Sequence, residues 1–268
     1  MTDRFADHHL MQAQERANVE VRLLVEVDEL MDAQGLFDRV WPAANGSTQL
    51  ATNLMRAVVH SGGYTSVAYR DEQPIGAAFG WVGRHRAPEG WRVHLHSHMA
   101  AVLDGYRDQH VGSVLKLHQR AWALSEDIDT IVWTFDPLVR RNARLNLIKL
   151  GVDVDGFEPD FYGAMDDGIN SGDPTDRLFA WWHVDSERVH AALGGERTEV
   201  DLDVLRADGR DVRDIALPDD IVAIRQADPD AAREWRMRLR HELQSAFADG
   251  YRITAVATHG GFVMERTS

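Results

Sequence analysis

The sequence predicts an α/β protein, and three observations predict it. Alternating or continuously apolar stretches interleave with stretches of helical period. A polar turn of small residues, Asp104 to Gly112, joins a strand pattern to the start of a helix, and the composition changes at Asp185, where a second and smaller set of elements begins. The boundaries read as a polar tail over residues 1–18, a main domain over 19–184 and an extension over 185–268. With 268 residues, 44% of them hydrophobic, the chain can bury a real core in one large or two modest domains.

Val19 to Val25 alternates and then runs apolar, as a first strand would, and Val27 to Trp41 carries Leu30, Met31, Leu36, Phe37 and Val40 on a broken helical period ended by Pro42. A second helix puts Leu50, Leu54, Ala57 and Val58 on one face and stops at Gly62-Gly63. Tyr64–Tyr69 and Ile75–Val82, joined by Arg70 to Pro74, form an antiparallel hairpin, and Arg84 to Gly90 reads as a loop. Arg92 to Leu103 is the central strand, Gly112 to Glu126 a helix, and Thr130–Phe135 a short buried strand stopped by Asp136-Pro137.

Leu138 to Leu150 follows as one helix, Phe157 to Asp176 is mostly loop, and Arg177–Val184 is a closing strand. In the extension, a short helix spans Glu187 to Leu193 and a polar linker runs to Ile215. Asp228-Pro229 then caps a helix with Ala232, Trp235, Leu239, Leu243 and Phe247 on one face, and Tyr251–Thr258 with Phe262–Arg266 make a terminal hairpin.

Charge and composition narrow the function. Asp and Glu outnumber Lys and Arg by 43 to 29, a net charge of -14, which opposes general binding to nucleic acid or an anionic membrane. The absence of cysteine rules out disulfides and thiolate catalysis. Neither a secretion signal nor an apolar run of the ~20 residues that span a membrane is visible, so a cytoplasmic location is expected. The turn before the Gly112 helix is the chemical feature: the first N–H groups of a helix lack intrahelical partners and favour anions, which places a phosphate-bearing ligand at Arg107 to Ser113.

Over about residues 19–184 the order of elements and the turn Arg107-Asp-Gln-His110-Val-Gly112 resemble the GNAT superfamily of acyl-CoA-dependent N-acyltransferases. The resemblance implies a central, mostly antiparallel sheet flanked by helices. It implies acetyl-CoA or another acyl-CoA as co-substrate, with Arg107, His110, Val111, Gly112 and Ser113 at the pyrophosphate, Ala101 and Val102 along the pantetheine, and Asn142 as a further cofactor contact. The chain departs from the pattern twice. His110 stands where glycine is usual, so it either keeps negative φ or adopts the left-handed conformation at a cost; and Leu147 stands where a tyrosine often protonates the departing thiolate. Trp133-Thr-Phe-Asp-Pro137 and Tyr162-Gly-x-Met165 resemble an uncharacterised, predicted-acetyltransferase branch.

For chemistry the candidates are His98 as base, Tyr162 as substitute acid and Asp136 as the carboxylate that orients a cationic acceptor or caps the next helix. His94, His96 and His98 alternate on one strand and share a face; a metal held by these three is the rival reading, and no metal is assigned because flanking carboxylates are missing. Arg140, Arg141 and Arg144 are candidates for the adenosine phosphates, and Asp173, Asp176 and Arg177 read as a structural ion-pair corner. The expected activity is direct acyl transfer to a small-molecule amine, the alternatives being a catalytically degenerate acyl-CoA sensor or assembly module and a metal-dependent hydrolase. The extension would pack on the main domain or pair with a second subunit in a homodimer.

Overall fold

Residues 7–43, 45–163 and 173–266 are described by the structure, a computed structural model of the full chain. The contacts divide it into two units, the first running to Trp133 and the second from Thr134. The boundary expected between 184 and 185 therefore falls inside the second unit.

The first unit contains α1 (His8–Ala17), β1 (Glu20–Leu23), α2 (Val27–Val40), α3 (Thr52–His60), β2 (Tyr64–Arg70), β3 (Gln73–Ala87), β4 (Gly90–Val102), α4 (Val111–Ser125) and the first four residues of β5 (Thr130–Phe135). β1, β2, β3 and β4 are successive antiparallel neighbours, and β4 pairs with β5 in parallel. The sheet is therefore mixed, with helices against it, as the sequence predicts. Leu30, Ala33, Leu36 and Phe37 of α2 and Met55 of α3 pack on Val67, Ala77, Phe79 and Ala101. Burying each large side chain contributes about 1.5–3 kcal/mol, so the apolar period of α2 is its main anchor. α1, which falls in the stretch read as a tail, is capped by Asp7, packs on α4, and is tied to it by an ion pair from Asp7 to the buried Arg120. Residues 1–6 of that tail lie outside the described residues.

One predicted loop is strand. β3 and β4 continue in register out to Ala87–Gly90, and Arg84 and Arg86 lie 4.7 and 4.6 Å from the centre of the Trp91 ring. A run of Arg and His reads as a loop by composition; cross-strand stacking supplies what the side chains lack in apolarity.

The second unit contains α5 (Arg140–Ala143), β6 (Asp153–Glu158), β7 (Arg177–His183), α6 (Glu187–Leu193), α7 (Leu202–Ala207), β8 (Val212–Ile215), α8 (Ile221–Ala227), α9 (Pro229–Ala248), β9 (Tyr251–Val256) and β10 (Phe262–Arg266). β6 and β7 are antiparallel, and a separate sheet has the order β8-β10-β9. The single helix expected over 138–150 is instead α5 followed by a π-helix, Arg144–Lys149, in which the Leu150 N–H donates to Leu145 O. Side-chain period does not distinguish the two hydrogen-bonding patterns over so short a run. α7, β8 and α8 occupy the stretch read as linker and beyond it; β8 is four residues long and pairs with a strand about fifty residues away, which local pattern cannot reveal. The extension packs on its own unit, β9 against β6 and the π-helix.

Candidate functional site

The turn ahead of α4 is built from its neighbours. Gln109 accepts from Arg70 Nη1 at 2.7 Å and donates to Gly105 O at 2.9 Å; the Tyr106 hydroxyl donates to Gln73 at 3.2 Å. These bonds fasten the turn to the β2–β3 hairpin. Asp108 and His110 both have positive φ, 61° and 64°. His110 thus takes the left-handed alternative, at a cost of about 1–2 kcal/mol, and its side chain does not cap the helix. Val114 N–H donates to His110 O at 3.1 Å, and the N–H groups of Val111, Gly112 and Ser113 before it belong to the first turn, which has no side-chain cap. Gly76 sits beneath: a β-carbon there would come within 3.0 Å of Ala101 O and 3.1 Å of Val111, so only glycine lets β3 approach. A β-carbon at Gly112 would meet only Val102, at 4.0 Å. The cradle is open at that point. Arg107 lies beside it, with its guanidinium on Asp104 at 2.7 Å.

β4 opens away from β5 at the level of this turn. Their parallel ladder pairs Leu95 with Ile131 and His96 with Val132, whereas β4 continues to Val102. Just past the ladder, His98 is the extra residue of a bulge, because Gly80 pairs with Ser97 and Phe79 with Met99. The edge of β4 around Ala101 and Val102 is therefore not covered by that ladder.

His94, His96 and His98 do share a face. Their rings follow one another at 6.5 and 6.0 Å, and the Trp81 ring lies 4.7 Å from both His96 and His98. Burial lowers the pKa of all three; His85, 3.2 Å from His94, lowers that residue further, and His96 falls to about 4 with help from its histidine neighbours and Lys116. The row is neutral at pH 7, and a neutral imidazole such as that of His98, at the bulge, can accept a proton. Among the described residues no group of three or more His, Cys, Asp or Glu side chains is arranged to hold a metal.

Lys116 and Ser97 carry a feature that sequence reasoning missed. Ser97 and Trp133 are the first residues beyond the ladder on β4 and β5, and Lys116 reaches between them from α4. Its Nζ donates to Ser97 Oγ at 2.8 Å and lies 3.7 Å from the centre of the Trp133 ring; Ser97 Oγ donates in turn to Gln119 Oε1 at 2.9 Å. The lysine is 6% exposed, and burial brings its pKa down to about 7. The available signal was a lone lysine between Leu115 and Leu117, in a helix that proves buried nearly all round.

Asp136, Tyr162 and Asn142 lie in the second unit. Asp136 is engaged within its own unit: Leu138 N–H and Arg236 Nη1 donate to Oδ1 at 2.9 and 2.8 Å, and Arg225 Nη2 and Arg236 Nη2 to Oδ2 at 2.6 and 2.9 Å. Four donors use the four lone-pair directions of a carboxylate. Burial would raise its pKa, but Arg236 and Arg225 outweigh that and hold it well below the usual carboxylate range. The Leu138 bond closes a turn ahead of α5, whose N-cap is Val139 and carries no side-chain cap bond, so Asp136 does not cap that helix. The ion-pair corner is present with partners the sequence did not suggest: Asp173 accepts from Arg225 and Arg236, and Asp176 from Arg240. Tyr162 is 39% exposed, 3.0 Å from the Thr134 hydroxyl and under the Arg177 guanidinium; Met165, the end of its motif, lies outside the described residues. Asn142 is half-buried on α5, its N–H donating to Val139 O. Arg140 and Arg144, offered for phosphates, are held by Asp219 with Leu217 O and by Glu199. Leu147 is fully buried.

No protein-family model matches the chain, and no curated protein matches it. Solved structures do. The ribosomal-protein-S18-alanine N-acetyltransferase of Escherichia coli matches at 13% identity over 63% of this chain and 95% of its own, with a TM-score of 0.48. A GNAT-family acetyltransferase of Streptococcus pneumoniae matches at 16% identity over 61% and 97%, with a TM-score of 0.45. A putative acetyltransferase of Salmonella typhimurium, solved with acetyl-CoA, matches at 16% identity over 63% and 95%, with a TM-score of 0.48. The likeness to these acetyltransferases is one of fold alone. No helix among the described residues is long and apolar enough to cross a membrane.

Proposed function

We propose that the protein moves an acetyl or other short acyl group from acyl-CoA directly to an amine of a small molecule. The observation that carries this reading is the opening of β4 away from β5 beside the uncapped start of α4. An uncovered strand edge suits an extended thioester arm, and a helix start suits the pyrophosphate behind it. In this reading Val111, Gly112 and Ser113 bind phosphate oxygens through their N–H groups, and the main chain at Ala101 and Val102 holds the pantetheine arm. His98 accepts the proton that the amine sheds as it attacks the thioester carbon, since an imidazole held neutral is ready to do so.

Calorimetry with acetyl-CoA and with free CoA tests the reading, and no heat from either at millimolar ligand ends it. Release of thiol across a panel of small amines then separates a catalyst from a binding module. The burial of Leu147 at the position where the family resemblance expects an acid favours the second of these, an acyl-CoA sensor. Binding without thiol release from any amine would establish that alternative.

A further inference from the structure

Lys116 is a buried lysine in the core of α4. A buried ammonium is costly unless its protons are matched by acceptors, and among the described residues this one has a single hydroxyl and an aromatic face. Its position is specific. Ser97 and Trp133 would form the next pair of the parallel ladder, and Lys116 reaches the point where the two strands part. We propose that Lys116 is the acid that protonates the departing CoA thiolate in this fork, with Ser97 as the residue that positions its ammonium group. The inference rests on the acyl-CoA reading above and supplies the proton donor that a leucine at 147 cannot.

The step balances. The amine nitrogen's lone pair forms the new C–N bond, and the C–S bond breaks with its electron pair on sulfur. Lys116 Nζ gives one proton to that sulfur, while His98 takes the surplus proton from the amide nitrogen; exchange with solvent then returns both side chains to their starting states. No oxidant or further reactant is needed. An ordinary alkyl thiol ionises near pH 8.5, so an ammonium that titrates at about 7 gives up its proton to the thiolate downhill. His96, which the Lys116 charge reaches, is itself held neutral at pH 7 by its burial and its histidine neighbours.

Bound free CoA provides a test that does not depend on knowing the acceptor. The ionisation of its thiol is followed by the ultraviolet absorbance of the thiolate across pH, in the wild-type protein and in Lys116→Met, with acetyl-CoA affinity measured by calorimetry on both. Lys116 gives up its proton before the thiol ionises, so the wild-type titration should follow that of Lys116→Met. Lys116→Arg, which stays charged throughout, should raise the ionisation constant of the bound thiol on the order of tenfold over Lys116→Met. Equal ionisation constants in Lys116→Arg and Lys116→Met, with both variants binding CoA, overturn the assignment of Lys116 and leave the acyl-CoA reading standing. Failure of the wild-type protein to bind CoA removes the acyl-CoA reading itself. If Lys116→Met does not fold, the wild-type protein takes its place in the comparison with Lys116→Arg.

Discussion

Two buried charged clusters in this protein are satisfied to opposite degrees. In the second unit Asp136, Asp173, Arg225 and Arg236 exchange a near-complete set of hydrogen bonds, with every lone-pair direction of Asp136 taken. In the first unit Lys116 has one hydroxyl partner, the buried Gln119 Nε2 has none, and the nearby histidines are held neutral. Burial is common to both. The difference teaches that satisfaction, more than burial, separates a charge that holds a fold together from one kept ready for chemistry.

The comparison is easiest to break in the saturated cluster. Arg236→Met should cost about 3–5 kcal/mol, because it strips Asp136 of two of its four donors and leaves a buried carboxylate; the midpoint of denaturant unfolding measures it. The wild-type contribution of Asp136 has a definite pH sense. Its folded pKa is lowered, so the stabilisation is full above the unfolded carboxylate value of about 3.9 and is lost only as pH falls through the lower folded value.

On the open side, His98→Ala should reduce turnover on the order of 100-fold. The wild-type rate should fall as pH drops through a value below the ordinary histidine 6.5, and the variant should lack that limb. Gly112→Glu should weaken CoA binding roughly 100-fold, equivalent to losing one or two charge-assisted hydrogen bonds, with its unfolding midpoint retained because a side chain there meets only Val102. Unchanged affinity in calorimetry would place the phosphate site elsewhere.

Smaller effects sharpen the contrast. Lys116→Met should stabilise the protein near pH 7, by on the order of 1–4 kcal/mol as for other replacements of buried charge by packed hydrocarbon. Since its folded pKa of about 7 lies below the ordinary lysine value, the unfolded chain binds more protons between about 7 and 10.4. Wild-type stability therefore rises over that range and the gap to the variant closes, which thermal melts at several pH values would show. His110→Gly should add about 1 kcal/mol by relieving the left-handed strain without weakening CoA binding.

Most strands and helices between Val19 and Phe135 were legible because each buries one face and repeats it, and the turn before α4 was legible because Gly112 and its neighbours mark a helix start after a strand. Asp136 was legible as a buried turn carboxylate after a strand, but its ion-pair cluster was not. Its arginine partners come from 89 and 100 residues away, and no local pattern announces them. Arg84 and Arg86 hid a strand for a related reason, since their partner Trp91 lies across the hairpin.

By itself, then, the sequence determined most of the strands and helices of the main domain, that the charge balance is acidic, and that a helix starts just after the Asp104–Gly112 turn, because periodicity, composition and turn chemistry are properties of neighbours along the chain. Tertiary structure alone decided that His98 is a bulge, that β4 and β5 part after His96, and that Lys116 is buried where they part. Those are facts about which groups meet across the sheet. They depend on register and on the desolvation that packing imposes, and neither is written in the spacing of residues.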